Sequence, residues 1–95
     1  MLTNINILGQ VYTIHQVPCV DKECLSKGQI NYMTHEILID EGMPEDLKEQ
    51  TLLHEVLHGV CDALGMEELN ANENAIQSLA TALHCIFGSK LFEIS

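Results

Sequence analysis

Positive charge is what this sequence has least of. It carries 4 Lys and Arg residues against 14 Asp and Glu, a formal net charge of -10 at pH 7. Such a surface repels nucleic-acid phosphates and anionic lipid head groups, so neither is expected as a direct partner. The carboxylates serve solubility or attract a basic partner. No apolar run approaches the roughly 20 residues needed to span a bilayer. The opening MLTNINILGQVYTIH has no basic n-region, no continuous apolar core and no small-residue cleavage site, so it does not read as a signal peptide. Nothing else suggests export, and the cysteines Cys19, Cys24, Cys61 and Cys85 are therefore read as reduced thiols in a cytoplasmic protein. Internal repeats, linkers, low-complexity tracts and a helix-turn-helix segment are also missing.

What is present fits one compact domain. Ninety-five residues, 46% of them hydrophobic, can build one modest core. Up to Val20, Ile5, Ile7, Val11, Ile14 and Val17 are interrupted at Gly9-Gln10, which predicts a hairpin or two short strands ended by Pro18. Residues 28–33 and 36–40 predict a second strand pair around the turn Met33-Thr34-His35. The first 40 residues are thus expected to form a small antiparallel sheet.

Helices follow. Pro44 suits a first helical turn, Glu45 and Asp46 complement its dipole, and Gly65 suits the position just past the end, predicting a helix over 44–64. From Thr51 on, this helix is apolar nearly all round except for His54, Glu55, His58 and Asp62, so those polar groups must be buried and partnered. A second helix is predicted over 70–87, with Ile76, Ala80, Leu83 and Phe87 in one stripe and Glu73 at its head. The expected architecture is α+β: a small sheet followed by two helices.

The chemistry lies in HEVLH, residues 54–58. Histidines four apart on a helix stand about 6 Å apart along the axis and about 40° apart around it, so both rings can grip one ion. Imidazole nitrogens suit zinc, and a catalytic zinc takes three protein ligands plus an open position. Glu55, next to the first histidine, is placed to take a proton from a water at that position. The third ligand must come from elsewhere. Glu73, fifteen positions beyond His58, has two readings. It is either the third metal ligand, carried back by an antiparallel second helix, or the N3 residue of a capping arrangement begun by Asn70. Cys61, one turn beyond His58, reads as a packed thiol, and His84, about 16 Å along the helix from Glu73, as a packing histidine. Cys19 and Cys24 form one C-x4-C pair without a second half, which with His15 leaves a minor second site open. Tyr32 and His35 are candidates for stabilising an oxyanion, and the 36–40 strand for pairing with an extended peptide.

TLLHEVLHG followed by NENAIQSLA resembles the HExxH-plus-glutamate zincins, in particular the small phage and mobile-element metallopeptidases related to the ImmA/IrrE family. The resemblance covers roughly Gly28 to Phe87, including GQINYMTHEILID as the strand pair that runs into the active-site helix. It implies a zincin-like fold and a single zinc ion held by His54, His58 and Glu73. It further implies Glu55 as general base in the hydrolysis of a protein or peptide substrate. The chain departs from the glutamate zincins in having Gln77 where an aspartate usually orients a histidine, and in being shorter than typical peptidases of the class. Two other functions fit the same residues: a zinc-dependent hydrolase of non-peptide amides, and a non-enzymatic module in which zinc staples the elements together for protein binding. The last requires a fourth protein ligand, for which Cys61, Asp62 and His84 are the candidates.

Overall fold

The computed structural model describes residues 2–18, 27–88 and 90. Strands β1 (Asn4–Ile7), β2 (Gln10–Val17), β3 (Gly28–Asn31) and β4 (Glu36–Asp40) are followed by helices α1 (Glu45–Leu64), α2 (Glu67–Asn70) and α3 (Glu73–Phe87). The α+β class expected from the sequence holds.

The sheet is mixed rather than antiparallel, with strand order β1-β2-β4-β3. Two local hairpins form as the turn residues direct. Leu8 and Gly9 both take positive φ, the requirement of a two-residue type I′ turn, and the Asn6 carboxamide accepts the Gly9 N–H at 2.7 Å. Between β3 and β4 the Asn31 side chain accepts the N–H groups of Met33 and Thr34, ending β3 at Asn31. The hairpins then join side by side through β2 and β4, which run parallel with Ile14 opposite Ile37 and Gln16 opposite Ile39. The reason is burial. Ile37 and Ile39 of β4 are wholly buried, and the richest apolar run of the sheet takes an interior position between β2 and β3. The expectation that residues 36–40 form an edge is corrected with it: the edge strand on that side is β3.

One face of the sheet carries the core, with Ile7, Tyr12, Ile14, Ile37 and Ile39 packed against Leu52 of α1. Gly59 lets the helix come close, since a Cβ there would stand 2.8 Å from Ile7 Cδ1. Lys48 also ties α1 to the sheet, donating to Gln16 Oε1 at 2.8 Å. Helix α1 ends at Gly65, whose left-handed backbone lets its N–H reach Asp62 O while Met66 N–H reaches Cys61 O.

The second helix begins later than expected. Residues 67–70 form the separate one-turn α2, and α3 starts at Glu73 with Asn72 as its N-cap, accepting from Ala75 N–H at 3.0 Å. Helix α3 lies against α1 through the buried Ile76 and Ala80, while Phe87 at the foot of the expected stripe is largely exposed. No helix among the described residues is long and apolar enough to cross a membrane.

Candidate metal centre

Helix α1 presents His54 and His58 one turn apart toward the start of α3, where Glu73 is the first residue. The Glu73 carboxylate bridges the two rings. Its Oε2 lies 2.9 Å from His54 Nε2 and its Oε1 2.8 Å from His58 Nε2, and the two Nε2 atoms are 3.2 Å apart. Glu73 is therefore not the N3 residue of a capping arrangement, and Asn70 does not cap α3. Glu73 itself stands largely in solvent. Its side chain is 67% exposed, whereas those of His54 and His58 are 15% and 9% exposed, so convergence rather than burial marks it out.

The donor set fits zinc in number and chemistry. Ligands about 2.0–2.1 Å from a tetrahedral zinc stand about 3.3 Å from one another; the two Nε2 atoms are 3.2 Å apart, each meets a different oxygen of Glu73, and one donor atom from each residue lies within 4.8 Å of the others. Both outer ring nitrogens are engaged elsewhere. His54 Nδ1 meets Gln77 Oε1 at 2.9 Å, and His58 Nδ1 meets Asn70 Oδ1. Among the described residues the converging group holds His54, His58 and Glu73 and no fourth Cys, His, Asp or Glu donor. Cys61 is buried in the packing of α1, and burial pushes its thiol up; Asp62 is exposed. The possible second site at His15, Cys19 and Cys24 falls partly outside the described residues.

Glu55 is buried beside this centre but does not join the converging atoms. Burial pushes its carboxyl above the ordinary value. His54 and His58 pull it back, and Glu73 pushes it up again. Gly28, the first residue of β3, makes room for it: a Cβ there would fall 2.6 Å from Thr51 Cγ2 and 3.3 Å from Glu55 Oε2. The edge strand thus passes directly over the glutamate. A cleft of about 500 Å³ opens between β3 and the helices, with Gly28, Gln29, Ile30 and Tyr32 on one wall and His54, Glu55, His58, Glu73 and Gln77 on the other.

The chain matches no protein-family model, and comparison with curated proteins and with solved structures gives no significant match.

Of the two candidate oxyanion donors, Tyr32 lines the cleft, whereas His35 lies against the Tyr12 ring with centroids 4.8 Å apart. Tyr32 Oη stands 3.4 Å from Asn70 Nδ2 and 3.5 Å from Asn70 Oδ1, so its hydroxyl can accept from the one and donate to the other. Burial pushes the Tyr32 hydroxyl up, opposed by the Asn70 hydrogen bond and reinforced by Asp62, Glu55 and Cys61, so it stays a donor. Asn70 is the site residue that sequence reasoning missed, since it was assigned to a helix cap. Its signal is visible only in three dimensions, where α2 folds it back over His58. His84 does not reach the centre; it faces Glu49 and Asp46 at the far end of the same helix pair.

Proposed function

We propose that the protein is a small zinc-dependent peptidase of the zincin type, with His54, His58 and Glu73 as ligands and Glu55 as general base. The observation that carries this reading is the open, three-donor convergence with a buried carboxylate standing beside it rather than in it. A structural zinc would call for four protein donors, so a set of three among the described residues supports catalysis over stapling. The resemblance of TLLHEVLHG and NENAIQSLA to the ImmA/IrrE-related enzymes of phages and mobile elements points the same way. We place the protein in the cytoplasm, a reading supported by Cys61 and Cys85, which are not disulfide-bonded.

A bound zinc would supply Lewis acidity toward a water and toward the scissile carbonyl. Glu55 takes the proton of the attacking water as the new C–O bond forms, and its environment, which favours the protonated carboxyl, holds that proton through the step. Tyr32 turns its hydroxyl from the distant Asn70 Oδ1 and donates a hydrogen bond to the carbonyl oxygen as negative charge grows there. When the C–N bond breaks, Glu55 delivers the proton to the departing amine nitrogen. The outer edge of β3 lines the cleft beside Glu55, so backbone pairing with an extended chain selects a peptide over a compact amide.

The decisive experiment loads the purified protein with zinc and follows cleavage of a mixed peptide library. One zinc per chain is expected, with cleavage falling about 10²–10⁴-fold in Glu55→Gln while the zinc stays. Full zinc occupancy with no cleavage of any peptide by the wild type would overturn the enzymatic reading.

A further inference from the structure

Each of the two metal-facing histidines is held from behind by a primary amide, and each amide is fixed by a further hydroxyl. Gln77 Oε1 meets His54 Nδ1 while Gln77 Nε2 donates to Thr81 Oγ1 at 3.1 Å, one turn along α3. Asn70 Oδ1 meets His58 Nδ1 while Asn70 Nδ2 donates to Tyr32 Oη. A carboxamide has one oxygen and one NH₂, and a hydroxyl can partner either, so it is the ion that would decide which end faces the ring: an imidazole that gives Nε2 to zinc carries its hydrogen on Nδ1 and needs an acceptor there. The amide oxygens that face Nδ1 of both histidines match that tautomer, with both Nε2 atoms turned toward Glu73.

We propose that Gln77 and Asn70 are positioning residues forming a neutral outer shell that fixes both rings for zinc without adding charge, so that the ion is held less tightly and exchanges more readily than behind carboxylates. The inference rests on the reading of His54, His58 and Glu73 as zinc ligands. Its physical basis is that a carboxylate behind a ligating imidazole orients the ring and raises its basicity, whereas a carboxamide does only the first. Among the described residues Glu73 is then the one carboxylate within 4 Å of the two ring nitrogens, so the amides add no second charge behind the ligands. Gln77 is exposed and Asn70 lies on the short α2, so a change at either tests the shell without opening the core.

The test is zinc affinity by chelator competition, with histidine side chains followed by ¹⁵N NMR in the zinc-loaded protein. Gln77→Leu is expected to weaken zinc binding about 10–100-fold, and Gln77→Glu to bind zinc more tightly than the wild type. In the spectra, the wild type should show slowly exchanging Nδ1–H signals from both rings, and Gln77→Leu should lose that of His54 while keeping that of His58. Asn70→Leu should do the reverse. Wild-type affinity in Gln77→Leu, equal loss of both signals in either leucine variant, or a Gln77→Glu protein no tighter than wild type would overturn the proposal. Failure of the wild type to bind zinc at all would instead overturn the metal-site reading beneath it.

Discussion

The seam between α1 and α3 carries histidine and carboxylate groups at both ends, and the ends are built differently. At one, His54, His58 and Glu73 converge, and each imidazole has both nitrogens within hydrogen-bond distance of a partner. At the other, Asp46, Glu49 and His84 also approach one another, but His84 Nε2 is buried with no hydrogen-bond partner among the described residues and stops 3.6 Å from Glu49 Oε1. Residue type and proximity are shared by the two clusters. What separates them, among the described residues, is the outer layer of amides and hydroxyls behind the donors at the first end.

The comparison breaks most directly at Glu73. Glu73→Ala should weaken zinc binding by more than the roughly 10–100-fold typical of losing an outer partner, whereas Asp46→Ala should leave one zinc per chain with unchanged affinity. Chelator competition on the two variants separates them, and an equal loss in both would mean that the far cluster holds the metal.

A smaller effect is expected at Glu55 in the metal-free protein. A carboxyl whose value is raised by folding binds its proton more tightly in the folded than in the unfolded state. Stability is therefore full at low pH and falls as pH climbs from the ordinary carboxylate value through the raised one. Glu55→Gln abolishes this loss. Its melting temperature should exceed that of the metal-free wild type at neutral pH, and the gap should shrink as pH is lowered into the ordinary carboxylate range. A gap that widens on acidification would contradict the direction given for Glu55.

The smallest change is expected at the far end. His84→Leu replaces a buried, unpartnered nitrogen by an apolar group of similar size, and denaturant unfolding should show stability unchanged or raised by about 1 kcal/mol, with zinc affinity untouched. A loss of several kcal/mol would mean that His84 and Glu49 form a working ion pair.

How far the sequence reached follows from the range of the interactions. Helix α1 was legible because Pro44, its acidic first turn and Gly65 act within a few residues. The HEVLH grip was legible because helical periodicity alone places His54 beside His58. Both hairpins were legible from their turn residues, but the parallel pairing of β2 with β4 was not, since it joins segments more than twenty residues apart and leaves no mark on either turn. Asn70 misled for a related reason. An asparagine ahead of a helical stripe looks like a cap, and only the fold of α2 shows that Asn72 takes that role while Asn70 turns to His58. Gln77 lay between these cases: the resemblance to the glutamate zincins implied a position that orients a histidine, but not which one or through which atom.

Strand β3 has four residues and is the sheet's outer strand at the cleft. At about 3.3 Å per residue it offers roughly 13 Å of backbone, with side chains of a paired chain pointing alternately toward and away from the helices. On the peptidase reading proposed above, a template that short would read two or three side chains of whatever lies along it. The choice of substrate would then not be written into the cleft as a long consensus. It would fall instead to the folding state of the target, since only a segment already loose enough to be drawn out straight could be read.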